Sequence, residues 1–316
     1  MQPALILLLV AFLSFVFGWN NGSFLIGDLR ASGSLTAGAA IVVSGAGLLI
    51  GAIIEGPKMT SSLVGTLAPA SSDGVILAAL AVSVVLLFVL SVVKMPMSLS
   101  MALVAAFLGA SYGAGFAISP PRTAVVVIFW FAAPASTALL TLLLYMAARR
   151  LVAGLPLATV DLLNRSGSAV SAFLVSYTLG ANNLGLLQSS VIAADSTASS
   201  DAAVLSAIAI GLAILAFLGA VAFGRGAVVG SMGDRMLALL PQGVVTLLIS
   251  SSIVVWVGTQ LAVPISITQC VLGGMFGASL AKKLAVMNMK LVYETLLSWV
   301  LVPVVAFVVA WAALSL

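Results

Sequence analysis

Two adjacent asparagines inside a hydrophobic run are costly once, and this chain has them twice. Gly18-Trp19-Asn20-Asn21-Gly22 is answered in the second half of the chain by Gly180-Ala181-Asn182-Asn183-Leu184. An unpaired polar group in apolar surroundings costs about 2–7 kcal/mol, so each pair needs partners built for it. Two further landmarks recur in the same order. Pro96-Met97-Ser98-Leu99-Ser100 returns as Pro264-Ile265-Ser266-Ile267-Thr268, and Trp130 with Pro134 returns as Trp299 with Pro303. Three landmarks repeated in one order at nearly one offset mark an internal duplication. The fold must therefore be two copies of one unit.

Of the 316 residues, 63% are hydrophobic and 6% charged, against about 25% charged in a soluble domain. That points to an all-α polytopic membrane protein. Apolar segments of about 20 residues, the length a spanning helix needs, lie near 3–27, 36–56, 74–93, 97–118 and 123–148, and again near 168–193, 202–223, 243–262, 265–281 and 290–315. The first, after Met1-Gln2-Pro3, lacks the positive leader and cleavage site of a signal peptide and reads as a retained spanning helix. The division is repeat 1 over 1–148, a linker over 149–167 carrying Arg149, Arg150, Asp161 and Arg165, and repeat 2 over 168–316.

Five crossings per repeat is an odd number, so the second repeat runs through the bilayer inverted. With both termini outside, the cytoplasmic side receives Arg30, Lys94, Arg149, Arg150, Arg165, Arg225, Arg235, Lys282, Lys283 and Lys290, and the outside only Lys58 and Arg122. That bias satisfies the positive-inside rule, places the linker in the cytoplasm and makes this a multi-pass protein of the cell membrane. Inverted repeats are a ground plan of secondary transporters, with the substrate site where the repeats meet.

Each Pro-x-Ser stretch reads as the start of a broken or re-entrant helix, where proline tolerates the first turn and a hydroxyl caps it. A helix that begins inside the membrane offers free N–H groups and the positive end of its dipole to an anion. Ser98, Ser100, Ser266 and Thr268 are thus the candidate substrate-binding residues, against the simpler reading that they bond their own backbone. Asn20, Asn21, Asn182 and Asn183 are candidates to bind a cation or to pin the helix breaks, with Gln188 and Gln269 as weaker ones. Glu55 and Lys58 read as boundary charges, and Lys290 with Glu294 as a pair on one helical face.

Other classes fall away. Gly109-Ala110-Ser111-Tyr112-Gly113 has a hydrolase pattern, but a chain with no histidine cannot build a Ser-His relay. The single cysteine, Cys270, excludes an internal disulfide framework, and without histidine no conventional metal site is expected beyond a sodium ion. No P-loop appears and the basic residues are scattered, so neither ATP-driven transport nor nucleic-acid binding is expected. Gly47-x3-Gly51, Gly109-x3-Gly113 and Gly273-x3-Gly277 suit close helix packing, and the glycine-rich faces permit a homodimer.

At these landmarks the chain resembles the inorganic phosphate transporter (PiT) family, which includes sulfate permeases. The second half is the closer match, through Gly180-Ala181-Asn182-Asn183, Pro264-Ile265-Ser266-Ile267-Thr268-Gln269, Asn288 with Lys290, and Leu297-Ser298-Trp299 with Pro303. In the first half Gly18, Asn20, Asn21, Gly27, Ser32, Leu35, Thr36, Gly51 and Ala52 follow the family's longer signature. The resemblance implies phosphate held between the two Pro-x-Ser hairpins, taken up by alternating access with sodium or protons as the coupling ion. Where the family has the cation-binding aspartates this chain has Asn21 and Asn183, and the motif's second asparagine is Phe24 in one half and Leu186 in the other. The motif histidines are Met101 and Gln269, and the segment-two glutamate is about Leu48. The expectation is a secondary transporter of a small oxyanion in the lipid bilayer, phosphate first and sulfate second. A non-transporting paralogue, acting as a sensor or partner subunit, is the other class.

Overall fold

The computed structural model describes residues 2–22, 36–60, 62–63, 67, 72–93, 95, 97–194, 201–223, 241–282 and 289–315. Of the residues singled out above, Met1, Phe24, Gly27, Arg30, Ser32, Leu35, Lys94, Pro96, Arg225, Arg235, Lys283 and Asn288 lie outside them. Among the described residues the chain is helical, with no strand. The first half supplies α1 (Gln2–Gly22), α2 (Ala37–Ile54), α3 (Asp73–Val92), α4 (Leu99–Gly113) and α5 (Pro120–Val152). The second supplies α6 (Leu157–Thr178), which runs through a π turn (Leu179–Leu184) into α7 (Gly185–Ala194), then α8 (Ala202–Phe223), α9 (Pro241–Gln260), α10 (Ile267–Lys282) and α11 (Met289–Ser315).

Each of the ten apolar segments contains a helix, but they are not ten equal spans. Seven helical stretches among the described residues are long and apolar enough to cross a membrane: α1, α3, α5, α6 continued through α7, α8, α9 and α11. The other three, α2, α4 and α10, are shorter. At about 1.5 Å per residue, α4 reaches about 22 Å, short of the roughly 30 Å hydrocarbon layer. Helices α4 and α10 are the ones the Pro-x-Ser stretches lead into. The segment 149–167 is also largely helical. Arg149 and Arg150 end α5, Asp161 and Arg165 pair at 2.9 Å on the exposed start of α6, and only 153–156 separate the two helices. Gly154 makes that turn at φ 87°, a backbone state that other residues adopt only with strain.

The duplication reappears in the packing. Helix α1 packs on α8 as α6 packs on α2; α4 packs on α11 as α10 packs on α5; α1 packs on α3 as α6 packs on α9. Exchanging each helix for its counterpart in the other half leaves this set of contacts unchanged. Glycine sets the closest crossings. A Cβ on Gly18 would fall on the backbone of Ala216, and one on Gly180 on that of Leu48. Gly219 meets Phe15 as Gly51 meets Tyr177, and Gly109 meets Phe307 as Gly277 meets Ala138. Helices in lipid gain little from the hydrophobic effect on pairing, so close backbone approach over small residues is what holds them. Each of these crossings joins one half to the other. The expected glycine packing at 47/51, 109/113 and 273/277 is found at all three places.

Candidate functional site

One Asn-Asn pair lies at the end of a helix and the other inside a π turn. Asn20 and Asn21 end α1, and Asn182 and Asn183 lie between α6 and α7; all four are buried. A π turn carries one residue more than an α turn. It therefore re-aims the side chains around it, and such turns are frequent at functional sites.

The first asparagine of each pair grips the chain on both sides of a proline position. Asn182 Nδ2 donates to the carbonyl of Val263 at 3.1 Å, and the Ile265 N–H donates to Asn182 Oδ1 at 3.0 Å, so the amide spans Pro264. Asn20 Nδ2 donates to the carbonyl of Met95 at 3.3 Å, and the Met97 N–H donates to Asn20 Oδ1 at 3.3 Å, one residue either side of position 96. A hydroxyl completes each grip: Asn182 Nδ2 also donates to Thr259 Oγ1 at 3.1 Å, and Asn20 Nδ2 to Ser91 Oγ at 3.0 Å. Those hydroxyls in turn donate to the carbonyls of Val255 and Leu87. Proline has no N–H of its own, so the carboxamide supplies hydrogen bonds that the break interrupts.

Past the grip, the hydroxyls cap. Ser98 Oγ accepts from the Met101 N–H at 3.2 Å and Ser266 Oγ from the Gln269 N–H at 3.3 Å, which starts α4 and α10. Ser98 Oγ lies 3.1 Å from Ser100 Oγ. Each cap satisfies one of the unpaired N–H groups of a first turn and leaves others at the positive end of the dipole. Ser98, Ser100, Ser266 and Thr268 are all buried, so these two starts sit inside the protein. Within each half, the gripping asparagine and the capping serine are thus brought to one break in the chain. Between the halves, the described hydrogen bonds do not join the Ser98 cluster to the Ser266 cluster.

The second asparagines do something else. Asn21 Nδ2 donates back to the Phe17 carbonyl at 3.1 Å. Asn183 Oδ1 is buried without a hydrogen-bond donor, as are Gln188 Oε1 and Gln269 Oε1. The Gln188 amide nitrogen is tied to the Ala52 carbonyl at 3.0 Å. Buried acceptors of this kind cost about 1–3 kcal/mol each when left dry. They are what a donor group or a small cation satisfies. Among the described residues no cluster of three or more Cys, Asp or Glu is present.

Glu55 and Lys58 differ from the boundary charges they resemble in the sequence. Glu55 is 8% exposed at the end of α2. Its carboxylate accepts from Trp256 Nε1 at 3.2 Å and Gln260 Nε2 at 2.8 Å, and lies 3.4 Å from Lys58 Nζ; Lys58 donates to Gln260 Oε1 at 2.6 Å. This ring joins the first half to the second beside the Asn182 grip, because Met59 Sδ and Thr259 both contact that amide. Trp256 and Gln260 have no recurring signal to reveal them. Ser91 and Thr259 have one, since they are separated by the same offset as the prolines. Lys290 and Glu294 form the exposed pair their spacing predicts, at 3.9 Å.

Comparison with known proteins adds three findings. Residues 157–310 match the model of the phosphate transporter family. The chain is 24% identical over 305 residues to a protein named as a putative phosphate permease of Methanocaldococcus jannaschii, covering 96% of this chain and 94% of that one. Its fold is that of a solved structure described as the sodium-dependent phosphate transporter, with a TM-score of 0.82 and 16% identity, over 98% of this chain and 97% of that one.

Proposed function

We propose that the chain is a member of the phosphate transporter family, whose model its residues 157–310 match, and that it is a multi-pass secondary transporter carrying inorganic phosphate by alternating access of two inverted repeats. One observation carries this reading. The same device is built twice, an asparagine bridging a break in the chain and a capped helix start beyond it. A tetrahedral oxyanion suits two such starts, because its oxygens accept from free backbone N–H groups and from the hydroxyls of Ser98, Ser100, Ser266 and Thr268 while the dipoles favour its charge. Sodium is the favoured coupling ion. The unpartnered oxygen of Asn183 and its counterpart on Asn21 are hard oxygen ligands for it. The termini lie outside and the short 153–156 connection in the cytoplasm, by the distribution of basic residues.

Sulfate is the second reading, favoured by the side chains at the Asn-Asn positions. Asn20, Asn21, Asn182 and Asn183 are all neutral, and an anion that carries no proton at neutral pH needs no carboxylate to receive one.

The experiment is uptake of labelled phosphate and labelled sulfate into proteoliposomes, with sodium and proton gradients imposed separately. Phosphate uptake driven by sodium, abolished in Ser98→Ala with Ser266→Ala, is the expected result. Undiminished uptake by that double variant overturns the site. Uptake of neither anion by folded protein transfers the assignment to a sensor or partner subunit.

A further inference from the structure

The long helix α5 fixes its own depth in a bilayer. Arg122 lies in its first turn and Arg149 in its last. At about 1.5 Å per residue the rise from one to the other is about 40 Å, the thickness of a bilayer including its headgroup layers. Both ends therefore stand at headgroup level. Leu142, two turns before Arg149, lies about 10 Å deeper by the same rise, among the acyl chains.

At the Arg149 end the surface is not filled. A cleft of about 450 Å³ opens between α5 and α10, lined by Leu142, Tyr145, Met146, Arg149, Arg150 and Leu280 among others. Leu280 is 68% exposed and Met146 42% exposed, so the apolar wall faces the lipid. The ion pairs among the described residues are Glu55 with Lys58, Asp161 with Arg165 and Glu294 with Lys290, so neither arginine has a carboxylate partner there. An apolar slot topped by two such guanidinium groups is complementary to one kind of molecule. Guanidinium binds phosphate oxygens in a fork, and basic pockets between spanning helices hold anionic headgroups.

We propose that this cleft is a binding site for an anionic phospholipid. Its phosphodiester is held by Arg149 and Arg150, and an acyl chain lies along Leu142, Met146 and Leu280. The site stands at the end of α5, apart from the Pro-x-Ser starts, and is independent of which anion the protein carries.

Native mass spectrometry of the purified full-length protein tests it, with phosphatidylglycerol and phosphatidylcholine as probes. The protein should retain one phosphatidylglycerol at concentrations where phosphatidylcholine is lost. Arg149→Gln with Arg150→Gln should weaken that retention about tenfold or more, since each basic residue near a membrane surface contributes measurably to anionic lipid binding. Arg165→Gln, whose partner is Asp161, should leave it unchanged. Met146→Trp, which fills the slot and keeps both charges, should also reduce retention, and decides the matter if the double arginine variant does not fold. Equal retention of phosphatidylglycerol by the double variant, or by Met146→Trp, overturns the proposal. So does displacement of the lipid by inorganic phosphate, which makes the arginines a site for the free anion. A dimer in the same spectra that the double variant breaks up overturns it as well, because a second copy of the chain then covers the cleft.

Discussion

Asn20 and Asn182 are chosen by geometry as much as by polarity. A side chain that bridges a proline must donate to the carbonyl before it and accept from the N–H after it, and a short carboxamide carries both functions. Aspartate has the length but no donor. Asn182→Ala should therefore leave the Val263 carbonyl and the Ile265 N–H buried and unpaired, at a cost of about 1–3 kcal/mol for each. We expect a clear fall in the thermal unfolding midpoint of the purified protein. Asn183→Ala should lower it far less, because Asn183 Oδ1 has no donor to lose. Equal falls would sink the division of labour between the two asparagines. The duplication makes both pairs legible in the sequence. It cannot show which member looks toward the chain and which toward the site, because the partners of Asn182 include backbone groups that every residue possesses. Glu55 is hard to read for a related reason. Its burial depends on Trp256 and Gln260, which come from the opposite half of the chain, and no local pattern records their arrival.

Helix by helix, the fold is easier to read, and where sequence and structure differ the cause is length. Ten apolar segments are visible, yet α4 and α10 are shorter than the seven long apolar helices, because each starts only at its serine cap, Ser98 or Ser266. The segment 149–167, read as the linker between the halves, carries Arg149, Arg150, Asp161 and Arg165; charge does not prevent helix there, and Asp161 with Arg165 at a four-residue spacing supports one. The helix crossings give a paired prediction. Gly51→Ala and Gly219→Ala put a methyl group against the backbone of Tyr177 and of Phe15, and both should destabilise the folded protein. Gly211→Ala, in the middle of α8 with open space around it, should be neutral or stabilising by about 0.5–1 kcal/mol, the ordinary glycine effect in a helix. Thermal unfolding of the three variants decides it, and a loss at Gly211 equal to the others would refute crossing as the cause. Just after α9, Ala262 takes φ 53° so that the Val263 N–H can reach back to the Gly258 carbonyl at 2.9 Å. A left-handed conformation costs a residue with a Cβ about 1–2 kcal/mol. Ala262→Gly should accordingly raise the unfolding midpoint; a fall would mean that the alanine methyl group contributes more by packing than it costs by strain.

Across the whole molecule, the tightest helix crossings among the described residues, those of a glycine against a facing helix backbone, run between halves. Helix α4 rests on α11 and α10 on α5, while the Glu55 ring ties α2 to α9. Only 153–156 connects the two halves in sequence, through an exposed turn at Gly154. Breaking the chain between Gly154 and Leu155 should therefore do little once both pieces are made together. Co-expressed fragments 1–154 and 155–316 should co-purify from membranes as one assembly, and each expressed alone should be degraded or aggregate. A stable, folded single fragment would show that the inter-half crossings are dispensable. That the sequence repeats is plain from Asn-Asn and Pro-x-Ser. That the repeats interlock is not, because a glycine that faces its own half and one that faces the other are the same letter. The exchange of partners has an evolutionary consequence. Since each half relies on the other for its tightest crossings, a half-length ancestor with this pattern would have lacked those contacts as a single molecule. A second copy of itself would have supplied them, and a fusion of the two copies would make that partnership permanent.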